Sequence, residues 1–424
     1  MRRIRTAFLV MLAVFAALCL APASGAEQEK GDLTEAYYLG KCAASGWRDA
    51  EAFERLKAAT EDKDRLALYL HSRISAISAQ LTDWPVISET PWKTRREALQ
   101  EENARIGGLL EESGRLPFAL ATAVHSGAQP ERLTAAIGFG KLSGDELAAD
   151  LLVCLLNDES SRVRVLGASQ VRQADPKETA RRLAPFLAVQ VLTDISESAR
   201  ERAARALAHV VDADFPSEDP VPAATEWIRD HYDTSVVSVA EGDAPATRSH
   251  IAERESLAEA YYLAECAASG WMDDEAFGRL LDSVESERRR AFYLVDRALH
   301  CRAAELESRL WIVASPPHGM QEQQKLHEQA EEALQAVREM GPVALYAWAR
   351  YVRSGSEDVR SIAAWELGEL AEDEKAVDLL ILLLNDPSAP RQRVSASRLR
   401  LPPLSPPTLL LLERDGRWPL PQPA

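Results

Sequence analysis

Residues 33–56 read LTEAYYLGKCAASGWRDAEAFERL, and residues 257–280 read LAEAYYLAECAASGWMDDEAFGRL. The two stretches are identical at 18 of 24 positions and lie 224 residues apart. Self-similarity at a fixed spacing is the sequence signature of proteins built from repeated units. We therefore interpret the chain as a tandem duplication, in which a residue of the first copy corresponds to one about 224 positions later.

The first 26 residues resemble an export signal. Three arginines lie within the first five positions, an apolar run of 13 residues covers 8–20, and residues 24–26 read SGA. This order is typical of a secretory signal peptide. The run is shorter than the roughly 20 residues that cross a bilayer. We therefore expect an exported protein, periplasmic or extracellular, with no membrane span after cleavage.

The composition favours helices and excludes some partners. The chain has 49 Lys and Arg against 66 Asp and Glu, a net charge of −17 that becomes −20 without the three signal arginines. A polyanion of this kind repels nucleic acid, so we expect no nucleic-acid partner. Ala, Leu, Glu and Arg dominate, and alternating β-branched runs are absent. The pattern predicts an all-α fold.

Cysteines and histidines give little sign of a chemical site. Four cysteines follow the signal: Cys42, Cys154, Cys266 and Cys301. An oxidising compartment permits disulfides, and Cys266 with Cys301 is the pair to test first; isolated buried thiols are an equally weighted alternative. No CxxC or HExxH occurs, and the histidines are scattered. We predict no metal site, no cofactor and no catalytic residues.

Each copy opens with a predicted helical hairpin. Gly46 can end the first helix in the left-handed conformation, and Asp49 is the expected N-cap of the second. Leu39, Gly40, Ala52, Leu56 and Ala59 have spacings similar to those of a tetratricopeptide hairpin. Aromatic residues at helical spacing usually fill a core, although an aromatic ligand platform is the alternative. The residues interpreted as structural are Tyr37, Trp47, Tyr261 and Trp271.

A different pattern begins at residue 116. Segments such as ELAADLLVCLLNDESSRVRVLGASQV and PVALYAWARYVRSGSEDVRSIAAWELGEL read as an apolar helix, a polar turn and an alanine-rich helix that starts with arginine. They resemble HEAT-like repeats over about 116–211 and 342–400. The resemblance implies an α–α superhelix, a solenoid whose units bury their faces on one another.

The same resemblance suggests roles for the arginines. In HEAT-like proteins the turn aspartate and the following arginine usually form a structural ladder, which implies that Asp158 with Arg164 and Asp358 with Arg360 are internal stabilisers. A charged row facing a partner is the alternative. The candidate partner-binding residues are Arg132, Arg164, Arg202, Arg360 and Trp365.

The duplication and the repeats predict five segments. These are a signal peptide (1–26), a hairpin with a HEAT-like module (27–211), a closing helix and flexible linker (212–256), a second hairpin with its module (257–400) and a proline-rich tail or cap (401–424). Two modules on a tether could bind a partner twice.

Three classes of function fit this architecture. HEAT-like solenoids are mostly binding surfaces, so the leading expectation is a protein–protein interaction scaffold that is not an enzyme. An envelope structural or assembly component is the alternative. A HEAT-like lyase or isomerase fits less well, because no nucleophile, base and orienting partner can be grouped from the sequence.

Signal cleavage is directly testable. Because the SGA site follows the apolar run at once, we expect the exported chain to begin at or near Glu27. Intact-mass measurement of the exported protein checks this, and a mass that retains residues 1–26 would contradict it.

Overall fold

The computed structural model describes residues 26–83, 90–142, 145–172, 181–234, 255–311 and 316–384. Those ranges contain eighteen α-helices, one 3₁₀ turn and a pair of two-residue strands, so the protein is all-α, as its composition predicts. The predicted signal peptide, most of the linker and the proline-rich tail lie outside the described residues.

The helices follow the two copies in order. In the first copy they are α1 (Ala26–Ala44), α2 (Ala50–Ala59), α3 (Lys63–Asp83), α4 (Thr90–Glu112), α5 (Leu116–Ala121), α6 (Gln129–Lys141), α7 (Glu146–Leu156), α8 (Ser161–Val171), α9 (Ala184–Thr193), α10 (Glu197–Val211) and α11 (Pro220–His231). In the second copy they are α12 (Ala258–Ala268), α13 (Asp274–Ser283), α14 (Glu287–Trp311), α15 (Pro316–Glu339), α16 (Ala344–Ala349), α17 (Glu357–Glu369) and α18 (Glu374–Leu384). The 3₁₀ turn is Gly341–Val343, and strand β1 (Tyr232–Asp233) pairs in parallel with β2 (Glu255–Ser256).

The opening hairpin has the same geometry in both copies. Gly46 and Trp47 both have φ of +61°, and Gly270 and Trp271 have φ of +62° and +63°. Such values suit glycine but strain other residues, so each tryptophan holds an unusual backbone. The Trp47 and Trp271 carbonyls accept hydrogen bonds from Arg73 and Arg297.

The predicted N-caps are formed. The Asp49 carboxylate accepts a hydrogen bond from the Ala52 amide at 2.9 Å, and its counterpart Asp273 accepts one from the Ala276 amide at 2.9 Å. A side-chain acceptor at this position satisfies an amide that the helix itself leaves unpaired. Both hairpins therefore turn at the position that the sequence marks.

The described helices form two compact units whose boundaries cross those of the copies. Unit 1 comprises residues up to Ser113 together with those from Arg360 onward, and unit 2 comprises Gly114–Val359. Unit 1 thus contains α1 to α4 of the first copy with α18 of the second. Unit 2 contains α5 to α11 of the first copy with α12 to α16 of the second.

In unit 1, α18 contacts α3. An ion pair between these two helices belongs to a cluster that also includes a residue of the hairpin helix α1. Arg65 of α3 lies 3.2 Å from the Glu35 carboxylate and 3.7 Å from that of Asp378 on α18. The Tyr69 hydroxyl donates to Glu35 at 3.0 Å. The helix that follows the first copy's hairpin therefore contacts a helix of the second copy.

Unit 2 contains the equivalent cluster with the copies exchanged. Arg289 donates to Asp150 at 2.8 Å and to Glu259 at 2.6 and 2.9 Å, and the Tyr293 hydroxyl donates to Glu259 at 2.9 Å. These positions correspond to Arg65, Asp378, Glu35 and Tyr69, with an offset of 224 in the hairpin and 228 in the later helices. In each unit, the helix that follows one copy's hairpin thus contacts a helix of the other copy.

Also in unit 2, α5 and α16, which correspond at the offset of 228, contact each other. The equivalent residues Phe118 and Tyr346 stack edge to face with ring centroids 6.2 Å apart. Ser126 and Ser354, again equivalent, form an isolated antiparallel bridge. A Cβ at Gly127 would lie 2.5 Å from the Cα of Gly355, so this approach requires glycine.

The exchange of hairpins predicts the behaviour of a cut chain. A protease site placed between Gly242 and Asp243 should give two fragments that stay together, because each unit contains helices from both fragments. Gel filtration under native conditions should show one 1:1 species.

Electrophoresis under denaturing conditions is the control that cleavage is complete. Fragments that separate in native buffer would contradict the exchanged arrangement.

Candidate functional site

Unit 2 holds a cavity of about 440 Å³. Its walls come from the segment after α5, the turn between α7 and α8, α12 with the following Trp271, α14 and the segment before α17. The cavity therefore combines helices of both copies. The lining residues with chemical character include His125, Cys154, Trp271, Asp296, His300 and Tyr351.

Behind this wall lies a buried hydrogen-bond network centred on Arg350, whose side chain is 0% exposed. Its guanidinium donates to the Asp296 carboxylate at 2.7 Å, to the Phe292 carbonyl at 3.0 Å, and to His125 Nε2 and Cys154 Sγ, both at 3.1 Å. Burying a guanidinium is unfavourable unless a countercharge and acceptors replace water. Asp296 supplies that charge.

The network continues through Tyr351 to the cavity surface. The Tyr351 hydroxyl donates to Asp296. The Tyr351 ring stacks on the His125 imidazole with centroids 4.6 Å apart and planes 5° from parallel. Both rings line the cavity, so the buried ion pair fixes the orientation of two side chains at its surface.

His125 is held neutral. Burial and the adjacent Arg350 guanidinium lower the pKa of His125 to about 3. Because Nε2 accepts a hydrogen bond from Arg350, the single proton resides on Nδ1. The imidazole therefore offers an N–H donor rather than a positive charge.

Cys154 is held as a thiol. Burial raises the pKa of Cys154 to about 11, and the nearby Arg350 guanidinium opposes this only in part. A thiol rather than a thiolate is present near neutral pH, and the thiol is the less nucleophilic form. Its environment therefore suits a hydrogen-bonding or packing role.

The duplication provides an internal control for this network. At the offset of 228, Arg350, Tyr351, His125 and Cys154 correspond to Thr122, Ala123, Arg353 and Leu382; at 224, Asp296 and His300 correspond to Ser72 and Ala76. The hairpin contacts occur in both copies, but this network is encoded once. It is therefore not a general requirement of the repeated fold. We call Arg350, Asp296, His125, Cys154 and Tyr351 the asymmetric network.

The predicted arginine ladder connects successive turns. Arg132 donates from Nη2 to the Asp158 carboxylate at 3.4 Å, and its Nε lies 2.8 Å from that carboxylate. Arg164 forms two hydrogen bonds to the Asp194 carboxylate at 2.7 and 2.8 Å. Arg164 also contacts Asp158, as expected, but it donates to the backbone carbonyl at 2.8 Å and not to the carboxylate. Each arginine thus joins its own helix to the next turn, which stabilises the stacking.

Three of the predicted partner-binding residues lie in unit 2 and two in unit 1. Arg132 is buried and lines the cavity, whereas Arg164, engaged with Asp194, is absent from its lining. Arg202 is half-buried on α10. In unit 1, Arg360 is half-buried and Trp365 is 51% exposed. Among these five, Arg132 alone belongs to the cavity.

The hairpin aromatics differ between the copies. Tyr261 and Trp271 are buried, but Tyr37 is 43% exposed and Trp47 is half-buried. Trp271 serves both hairpin packing and the cavity. Trp271 therefore fits both interpretations of the hairpin aromatics, as structural residues and as a ligand platform.

Cys42, Cys154, Cys266 and Cys301 are all free thiols in the structure, so Cys266 and Cys301 are not joined there. Across the described ranges, no group of three or more potential ligands is placed to hold a metal ion. Within the same ranges, no helix is both long and apolar enough to cross a bilayer.

Comparison with protein-family models found no match, and no curated protein sequence is significantly similar to the chain.

The asymmetric network predicts a specific loss of stability. Replacing Asp296 with Asn leaves Arg350 buried without its countercharge, so we expect the free energy of unfolding to fall by about 3 kcal/mol. Tyr351→Phe removes one hydrogen bond and should lower it by about 1 kcal/mol. Urea denaturation followed by circular dichroism measures both.

Ser72→Ala, at the position equivalent to Asp296, is the matched control and should change the unfolding free energy by about 1 kcal/mol or less. If Asp296→Asn loses no more stability than Ser72→Ala, the assigned charge balance is wrong.

Proposed function

We propose that the protein is an exported HEAT-like repeat protein that acts as a protein–protein interaction scaffold, and that a partner inserts a group into the cavity of unit 2. The HEAT-like assignment is supported by the repeat pattern and by the arginines Arg132 and Arg164, each bonded to an aspartate of the next turn. Stacked helices of this type present side chains on a rigid surface. The fold leaves the choice of partner to those side chains.

The observation that carries the proposal is the single occurrence of the asymmetric network. Duplicated contacts explain how the units hold together, whereas Arg350 and Asp296 position His125 and Tyr351 at a cavity without a duplicate of that chemistry. About 440 Å³ falls within the range of about 300–1,000 Å³ common for binding pockets. A cavity of this size accepts a large side chain or a chain terminus.

The charge of the cavity favours a cationic group. The carboxylates of Asp158, Glu159 and Asp296 line it with the guanidinium of Arg132. Because Arg350 balances Asp296, one carboxylate remains in excess. The rings of Trp271 and Tyr351 add aromatic surface, which attracts cations. The net charge of −17 also favours a basic or neutral partner. The proposed occupant is therefore a lysine or arginine side chain of a partner protein.

The alternatives differ in what they require. An envelope structural component needs no selective cavity and would associate with cell-wall or lattice material. A lyase or isomerase needs an acid–base group or nucleophile, and the raised pKa of Cys154 and the lowered pKa of His125 disfavour a thiolate–imidazolium pair there. The interaction scaffold thus has the stronger support.

A cavity-filling variant tests the proposal. Ala303 lines the cavity and is exposed, so Ala303→Trp should occupy the space without removing a network residue. Ala79, also exposed, is its equivalent in the first copy, and Ala79→Trp is the matched control. Each protein serves as bait for native envelope extract, and captured proteins are identified by mass spectrometry.

We expect Ala303→Trp to reduce capture of a discrete partner at least about tenfold, which is 1.4 kcal/mol of binding free energy, and Ala79→Trp to retain it. Capture should also weaken as salt rises. Equal capture by both variants would contradict the cavity as the partner site.

A further inference from the structure

The two equivalent ion clusters carry different charges. In unit 2, Asp150 of α7 is bonded by Arg288 at 2.9 Å and by Arg289 at 2.8 Å, and Arg289 also binds Glu259. Two carboxylates therefore meet two guanidinium groups. This cluster is electrically balanced, and its short distances fit charge-assisted hydrogen bonds.

In unit 1, the residue equivalent to Arg288 is Asp64. Asp378, which corresponds to Asp150, retains Arg65 as a basic neighbour, at 3.7 Å rather than 2.8 Å. Glu35 shares Arg65 with Asp378, and Asp64 is a further acidic neighbour of Asp378. Between the copies, an arginine that binds the buried carboxylate has been replaced by an aspartate that repels it.

Asp378 cannot relieve this repulsion by exposure to water. It is only 4% exposed and lies on the face of α18 that also buries Leu379, Leu380 and Leu383. Ionising a carboxyl that is both buried and surrounded by like charges is unfavourable. A proton on Asp378 removes its charge, and with it the repulsion, without moving any helix.

We propose that the contact between α3 and α18 is a proton-dependent latch, closed when Asp378 carries a proton and loosened when that proton is lost. The latch is defined by Glu35, Asp64, Arg65 and Asp378. Loosening would free α18 from α3 and uncover its leucine face. The inference concerns unit 1 alone and is independent of the cavity in unit 2.

The groups around Asp378 act in the required direction. Asp62, which precedes α3, Asp64 on α3 and Glu35 on α1 raise the pKa of Asp378, whereas Arg65 lowers it; the Tyr69 hydroxyl on α3 also faces the cluster. On α18 itself, Glu374 and Lys375 lie within one turn. Burial is the largest cause, and the pKa of Asp378 is raised to about 7.

The sign of the pH dependence follows from linkage. An undocked Asp378 would have a pKa of about 3.9. Between about pH 4 and pH 7 the docked helix holds a proton that the undocked helix has released, so docking weakens by up to about tenfold for each pH unit of increase. Below about pH 4 both states are protonated, and above about pH 7 both are ionised.

Hydrogen exchange of the full chain tests the latch. Amide protection of peptide 374–384 is measured at pH 5, 6, 7 and 8 by mass spectrometry, after correction for the intrinsic exchange rate. We expect protection to fall at least about tenfold between pH 5 and pH 7. Peptide 146–156 of α7, which carries Asp150 in the balanced cluster, is the internal control and should show no such fall.

Two variants separate the cause from general instability. Asp378→Asn keeps the shape of the protonated side chain but cannot titrate, and Asp64→Arg restores the charge pattern of the balanced cluster. Both should make α18 protection independent of pH in this range. A pH-independent wild type, or a pH dependence that survives in either variant, would overturn the proposal.

Discussion

In each unit an arginine connects the helix after one copy's hairpin to a later helix of the other copy. Arg289 binds Glu259 and Asp150, and Arg65 binds Glu35 and lies 3.7 Å from Asp378. Ion pairs of this kind are weak evidence for net stability, because removing charges from water offsets most of their attraction. Their contribution is directional. An arginine that must find carboxylates in a partly buried contact specifies which helix of the other copy it meets. That choice determines which helices belong to each unit.

Contacts between equivalent residues point to a two-fold relationship within unit 2. When Phe118 meets Tyr346, Ser126 meets Ser354 and Gly127 approaches Gly355, each residue faces its own repeat equivalent. Such self-complementary contact is the geometry of an isologous dimer interface. Joining both copies in one chain makes association intramolecular, at an effective concentration set by the linker. Joining the copies also allows their sequences to differ, which two identical subunits cannot do.

Sequence patterns predicted the local structure well because local structure depends on neighbouring residues. The all-α class and the caps at Asp49 and Asp273 each follow from a few adjacent positions. The exchange of hairpins does not, since nothing near Arg65 indicates that its partner lies beyond residue 370. The same limit applies to Arg350, whose role depends on Asp296 and His125, 54 and 225 positions away. Aligning the two copies would have marked these residues, because Arg350 stands opposite Thr122 and Asp296 opposite Ser72.

Divergence between copies separates the residues that hold the fold from those that add chemistry. If Arg350 were needed for packing, Thr122 could not occupy its equivalent position in a chain that repeats the surrounding helices. Burial of an arginine and an aspartate costs several kcal/mol before their attraction offsets it, and a pair of apolar residues would fill the same space without that penalty. Stability alone therefore gives no reason to place the pair there. The orientation of other side chains does give a reason, because Asp296 and Arg350 fix Tyr351 and His125 at the surface of a cavity. The same reasoning applies to Asp64, because its equivalent in the other copy is Arg288, which binds the buried Asp150. In both units, the residue that departs from its equivalent is the one that changes the chemistry while the helices around it stay the same.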